Sequence, residues 1–141
     1  MASKSYRIGY NFQRRVVKHL KEKGFNCIVQ PKSAFPDIVA WKPFNDGKGN
    51  SLALNVQETI DEETKSKVVF PFYVSLIECK VNKYLSKKEK IEATKILEEG
   101  RCNSFLVAYR ENRKLKFQEI ELKDKIPVIK NVEKPLPSYL G

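Results

Sequence analysis

Histidine and paired cysteine are almost missing from this chain, and so is any long apolar run. His19 is its one histidine, and Cys27, Cys79 and Cys102 lie far apart with no C-x-x-C among them. A tetrahedral His/Cys zinc site has no ligand set to draw on, and three scattered cysteines do not describe a disulfide framework. Buried thiols acting as small hydrophobes are the expectation. No apolar stretch approaches the ~20 residues that span a bilayer. The start, MASKSYRIGYNFQRRVV, is basic but has no apolar signal core. An intracellular, cytoplasmic protein without a membrane partner is the default expectation.

Acidic residues are also scarce relative to basic ones. Twenty-seven Lys and Arg against seventeen Asp and Glu leave a net charge of +10. A polyanionic partner follows, with nucleic acid ahead of an anionic membrane surface; a lysine-rich solvated surface is the bland alternative. The charge is uneven. Ser3 to Lys23 carries seven basic residues and one acid, Glu22, whereas Phe44 to Ser66 reverses the balance with Asp46, Glu58, Asp61, Glu62 and Glu63.

At 141 residues, 41% hydrophobic and 31% charged, the chain suits one globular domain with a real core. Phe12, Val16 and Leu20 recur every four residues, which predicts a helix over 11–23 ended by Gly24. Short strands follow at 25–30 and at 37–41, the second entered from Pro36. NDGKGN is a turn signal at 45–50. The flanking SLALNVQETI and KVVFPFYVSLIEC read as a long hairpin, an insertion over about 43–70, with DEETKSK as an acidic linker open to disorder. Ser86 and Glu89 fit a capping box for a second helix that buries Ala93, Ile96 and Leu97 and closes at Gly100. NSFLVAYR and KLKFQEIEL read as strands joined across ENR. From about 125 to 141 three prolines punctuate a tail that wraps the surface or ends loosely. The order implies an α/β fold with a central mixed sheet flanked by helices.

Two of these strands carry charge where core is expected. FPFYVSLIECKVN turns from apolar to charged at Glu78 and Lys80, which leave the same face of an extended chain. FPDIVAW puts Asp37 at the start of another apolar strand. Taken singly, Glu78 and Lys80 fit an ion pair closing a strand, and Asp37 a turn cap after Pro36. Together, two carboxylates at the ends of neighbouring core strands repel and lose hydration unless something positive lies between them. A hard divalent cation meets that need, with the backbone carbonyl of Cys79 as a third ligand and water as the rest. Lys80 would then orient or help deprotonate a water and stabilise charge on a phosphate.

PDIVA followed by LIECK resembles the PD-(D/E)xK nuclease signature, with Asp37, Glu78 and Lys80 at its three positions. RIGYNFQRRVVKHLKEKGF resembles the first helix of archaeal Holliday junction resolvases, and KSAFPDIVA their serine-bearing approach to the aspartate. YLSKKEKIEATKILEEGRCNSFLVAYR resembles their later helix and strand, and LKFQEIEL their closing strand. The resemblance implies a restriction-endonuclease-like core with a hairpin inserted between the Asp and Glu-x-Lys strands, and a single nuclease domain over 1–141. It implies Mg²⁺ on Asp37 and Glu78, with Mn²⁺ as a substitute, and Lys80 in catalysis. Ser33 falls at the serine position near the scissile phosphate. Gln13 falls where the resolvases usually carry glutamate, a departure that removes an anionic ligand. The separation of Asp37 from Glu78 is also longer than theirs.

The implied activity is structure-selective DNA cleavage in recombination or repair, leaving 5′-phosphate and 3′-hydroxyl ends. The implied partners are branched or four-way junction DNA and a second copy of the chain. The implied setting is an archaeal or viral nucleoid or replication site. Arg7, Arg14, Arg15, Lys32, Lys83, Lys87 and Lys88 are the candidate phosphate contacts, with Tyr6, Tyr10 and Tyr84 as stacking or packing rings. His19 reads as structural. A nuclease for flaps, nicks or single strands, a non-catalytic nucleic-acid binder and a ribosome- or RNA-associated basic protein stand as alternatives.

Overall fold

Phe12, Val16 and Leu20 form the buried stripe of the first helix, α1 (Lys4–Glu22), in the computed structural model that gives the fold. The structure describes residues 4–45, 48, 50–69, 71–82 and 84–135. Helix α1 starts well before the apolar stripe does, because the turn holding Tyr6 and Tyr10 is exposed and leaves no core signal. Gly24, with φ +91°, ends the helix region, and Phe25 folds back with its amide on the Leu20 carbonyl.

The strands are β1 (Asn26–Val29), β2 (Ile38–Pro43), β3 (Leu54–Ile60), β4 (Glu63–Val69), β5 (Phe72–Lys80), β6 (Ser104–Glu111), β7 (Lys114–Lys123) and β8 (Ile126–Val132). Helix α2 (Lys87–Glu98) lies between β5 and β6, which pair in parallel; every other neighbour pair is antiparallel. Six strands make one sheet in the order β1-β2-β5-β6-β7-β8. The chain is therefore α/β with a mixed central sheet.

Alternation along β5 and β6 puts a core on each face of the sheet. Ile77, Leu106 and Ala108 pack with the α1 stripe, Ile38, Ala40 and Phe117. Leu76, Phe105 and Val107 pack on the other side with Ala93 of α2, Leu85 and Ile120. The α2 N-terminus carries the full capping box, Ser86 Oγ accepting from Glu89 N and a Glu89 oxygen accepting from Ser86 N. Ile91, off the apolar stripe, is 62% exposed.

The hairpin expected across ENR forms, β6 pairing with β7 through a turn at Asn112-Arg113. Two others depart from the sequence reading for one reason: their turns run through Asp61-Glu62 and Asp124-Lys125, and all four residues are at positive φ. Two-residue turns of this kind are usually announced by Asn-Gly or Asp-Gly, and none is here. So residues 61–67 are a turn and most of a strand rather than a loose linker. Strand β4 pairs with β3 in a separate two-stranded sheet, while β5, expected in that hairpin, pairs with β2. The expected loose tail is in part β8, an edge strand where Pro127 costs no inner ladder bond; residues 136–141 lie outside the described residues.

The β3–β4 hairpin is exposed along almost its whole length. Leu54, Val56, Ile60 and Val68 are all exposed there, so they add nothing to the core. Replacing residues 54–69 with a short Gly/Ser linker is expected to change unfolding free energy by no more than about 1 kcal/mol in urea titration. A larger loss would mean that the hairpin supports the body.

Candidate active site

Glu78 and Lys80 fall on the α2 face of β5, two and four residues beyond Leu76. The β2–β5 register sets Ile38 opposite Ile77, so Asp37 stands across from Glu78 one step past the last pair. Each acid then bonds the backbone of the other's segment. Glu78 Oε1 accepts from Asp37 N at 3.1 Å, and Asp37 Oδ2 accepts from Cys79 N at 2.9 Å. These reciprocal bonds fix two carboxyl groups side by side where β2 begins.

The approach to Asp37 is held as well. Gln30 N donates to the Asp37 carbonyl at 2.8 Å, and Gln30 Nε2 donates to the Pro36 carbonyl at 2.7 Å. The Phe35–Pro36 peptide is cis, and Phe35 stacks on the buried Phe105, centroids 5.6 Å apart. Asp37 therefore enters the site from a segment anchored on both sides.

Glu78 is only 6% exposed. Burial, first, and then hydrogen bonding with Asp37 and Glu89 push its carboxyl up to about 10, with Lys80 pulling weakly the other way. Without a cation Glu78 holds its proton at neutral pH. Cys79 contributes its backbone: a strand residue's N–H and C=O leave the same edge, so its carbonyl is directed along the edge where its amide meets Asp37. Its thiol packs in the α1-side core, and burial raises its pKa. All three cysteines are free and half-buried.

Lys80 does not pair mainly with Glu78, as strand spacing alone suggests. Its Nζ lies 3.9 Å from Glu78 Oε2 but 2.6 Å from Glu89 Oε2. Glu89 is the site residue that sequence reasoning missed. The capping box was legible; that its second oxygen reaches back to β5 is a tertiary fact. Burial works upward on the Glu89 carboxyl, but hydrogen bonds from Lys80 and the Ser86 amide outweigh it and hold the pKa down to about 2.

The remaining candidates are dispersed. Gln13 is half-buried on α1, the layer across the sheet from α2, in a groove of about 1000 Å³ shared with Tyr10, Arg14, Lys21 and Val29. Ser33 is exposed in the loop before Asp37. Arg7 is exposed on α1, and Arg15 donates to the Arg113 carbonyl at 3.0 Å. Arg14 and Lys32 lie over tyrosine rings. Lys87 and Lys88 are exposed at the start of α2, Tyr84 is 71% exposed, and Lys83 lies outside the described residues. His19 packs against Phe117 at 5.6 Å, and burial lowers its pKa.

No protein-family model matches the chain, and no curated protein matches its sequence. Among the described residues no group of three or more His, Cys, Asp or Glu side chains is placed to hold a metal. Mg²⁺ asks for less, since it keeps several waters and commonly takes one or two carboxylates. The paired oxygens of Asp37 and Glu78, with the Cys79 carbonyl edge, fit that demand. No helix among the described residues is long and apolar enough to cross a membrane.

Proposed function

We propose that the chain is a divalent-metal-dependent DNA endonuclease of the PD-(D/E)xK kind, with its α/β core serving as the nuclease core. The observation that carries this reading is the reciprocal bonding that holds Asp37 and Glu78 side by side, with Lys80 two residues on along the same face. An ordinary surface ion pair has no need of a nearly buried acid that keeps its proton.

Asp37 and Glu78 would hold Mg²⁺, or Mn²⁺ in its place, with the Cys79 carbonyl. Bound there, the ion supplies charge against the phosphate and lowers the pKa of the attacking water. Glu78 would release its proton to solvent as the ion binds, so its buried carboxylate would form only where a cation compensates it. Lys80, held by Glu89, orients the water and faces the negative charge that grows on the phosphate oxygens. Hydrolysis leaves a 5′-phosphate and a 3′-hydroxyl. The net charge of +10 suits DNA as the substrate.

The resemblance to resolvases favours a branched substrate cut by a two-fold dimer. A second reading, cleavage of flaps or single strands, is favoured by Gln13, which brings no acid from α1. Labelled four-way junction, flap, single-stranded and linear duplex DNA with Mg²⁺ test both. Wild type is expected to cut at least one of them, and Asp37→Ala and Lys80→Ala none. Paired symmetric nicks in the junction alone support the resolvase reading; no cleavage of any substrate overturns the enzyme.

A further inference from the structure

Away from the acidic pair, four side chains are linked along one exposed flank of α1. Tyr6 and Tyr10, about one helical turn apart, have ring centroids 6.4 Å apart and planes within 10° of parallel. Arg14, a further turn along, sets its guanidinium 5.8 Å from the Tyr10 centroid. Lys32, from the loop that leads to Asp37, sets its ammonium 4.7 Å from the Tyr6 centroid. Past Arg14 the flank continues into the groove lined by Lys18, Lys21 and Val29. From Tyr6 to Lys21 the helix rises roughly 22 Å.

These rings are not core. Tyr6 and Tyr10 are 47% and 50% exposed, while α1 buries Phe12, Val16 and Leu20. Around them the helix offers Lys4, Arg7, Arg14, Arg15, Lys18 and Lys21, with Glu22 as its single acid. A second copy of the chain brought flank to flank would set like charges against each other, whereas a polyanion would be matched.

We propose that this flank is a binding platform for single-stranded nucleic acid, taking unpaired bases on Tyr6 and Tyr10 and leading the strand along the Lys32 loop toward Asp37. The binding stands by itself; only the strand's destination rests on the nuclease reading. Bases inside a duplex have no free face to offer, so the rings select unpaired ones. A base arriving at a ring must displace the cation or ring beside it. Stacking on an aromatic side chain is worth roughly 5- to 150-fold in affinity per base. An exposed cation–ring contact is worth only roughly 2- to 5-fold. The base therefore wins the ring, and Arg14 and Lys32, released from it, are left beside the strand's phosphates.

Fluorescence anisotropy without divalent ions, at low and moderate salt, tests this with an oligothymidylate, an abasic oligonucleotide of equal length and a linear duplex. Wild type is expected to bind the oligothymidylate more tightly than the abasic strand. Tyr6→Ala and Tyr10→Ala should each weaken it by roughly fivefold or more while leaving duplex affinity within about twofold and the salt slope unchanged. Tyr10→Phe, which keeps the ring, should behave as wild type and show that the ring is what matters. Equal binding of abasic and base-bearing strands overturns the proposal, as does an equal loss on single strands and duplex. Sedimentation showing that either alanine variant dissociates a dimer would assign the flank to a second copy instead. If wild type cleaves nothing in Mg²⁺ but keeps this binding pattern, the platform survives and the nuclease reading falls. If wild type cleaves DNA but lacks the pattern, the nuclease reading survives and the platform falls.

Discussion

Glu78→Gln is expected to stabilise the metal-free protein above neutral pH and to slow Mg²⁺-dependent cleavage by at least about a hundredfold. The side chain is nearly buried, and desolvation, ahead of its hydrogen bonds to Asp37 and Glu89, pushes the carboxyl up to about 10. In the unfolded chain the same group loses its proton near the ordinary 4.5. Above that pH the unfolded state binds fewer protons than the folded one, so stability falls as pH rises. The contribution is fully present below about 4.5 and is gone once pH passes about 10. Glutamine is neutral throughout and keeps an oxygen to accept from Asp37 N, now 3.1 Å from Glu78 Oε1.

Urea denaturation in EDTA should find the two proteins close in stability at pH 5. At pH 8 the glutamine variant should be more stable, by on the order of 2 kcal/mol. Mg²⁺ should then stabilise wild type but not the variant, because the amide cannot supply an anionic ligand. Cleavage should fall by roughly a hundredfold to a thousandfold or more. A wild type that is the more stable protein at pH 8 would mean that Glu78 is ionised and paired with Lys80, and the proposed cation would lose its reason. An acid held against its own stability where a cation is needed is how a functional site departs from the best-folding sequence.

What could be read in advance follows from how local each signal is. Strand alternation alone puts Glu78 and Lys80 on one face, and Ser86 with Glu89 alone marks the start of α2; both appear in the structure. The buried stripe of α1 was equally plain, but its N-terminal turns were not, since Tyr6 and Tyr10 bury little and lie off that stripe. The Asp61-Glu62 and Asp124-Lys125 turns hid β4 and β8, because left-handed backbone is borne there by residues that do not advertise it. The opposition of Asp37 and Glu78 depends on the β2–β5 register, and the Lys80–Glu89 contact on how α2 docks. Neither is encoded in any short segment.

Glu89→Gln is expected to slow cleavage by roughly tenfold or more, whereas Ser86→Ala should leave it within about twofold. The two variants separate what one carboxylate does. Glu89 Oε1 accepts from Ser86 N at 2.8 Å and belongs to the helix cap. Its Oε2 lies 2.6 Å from Lys80 Nζ and belongs to the lysine. Glutamine can still cap the helix through its carbonyl, but its amide brings no charge to Lys80. Alanine at Ser86 removes the hydroxyl that accepts from Glu89 N at 3.1 Å, costing about 1 kcal/mol of helix stability and leaving the ion pair in place. Relieved of Glu89, the ammonium has Glu78 as its nearest acid, 3.9 Å away, and would be drawn toward it and off the position from which it meets the phosphate. The loss should therefore fall on kcat, with DNA affinity in Ca²⁺ unchanged, and the lysine ammonium signal in ¹⁵N NMR should broaden in Glu89→Gln and not in Ser86→Ala. Equal activity losses in the two variants would reduce Glu89 to a capping residue. An unchanged ammonium signal in Glu89→Gln would show that Lys80 is held by something other than this carboxylate.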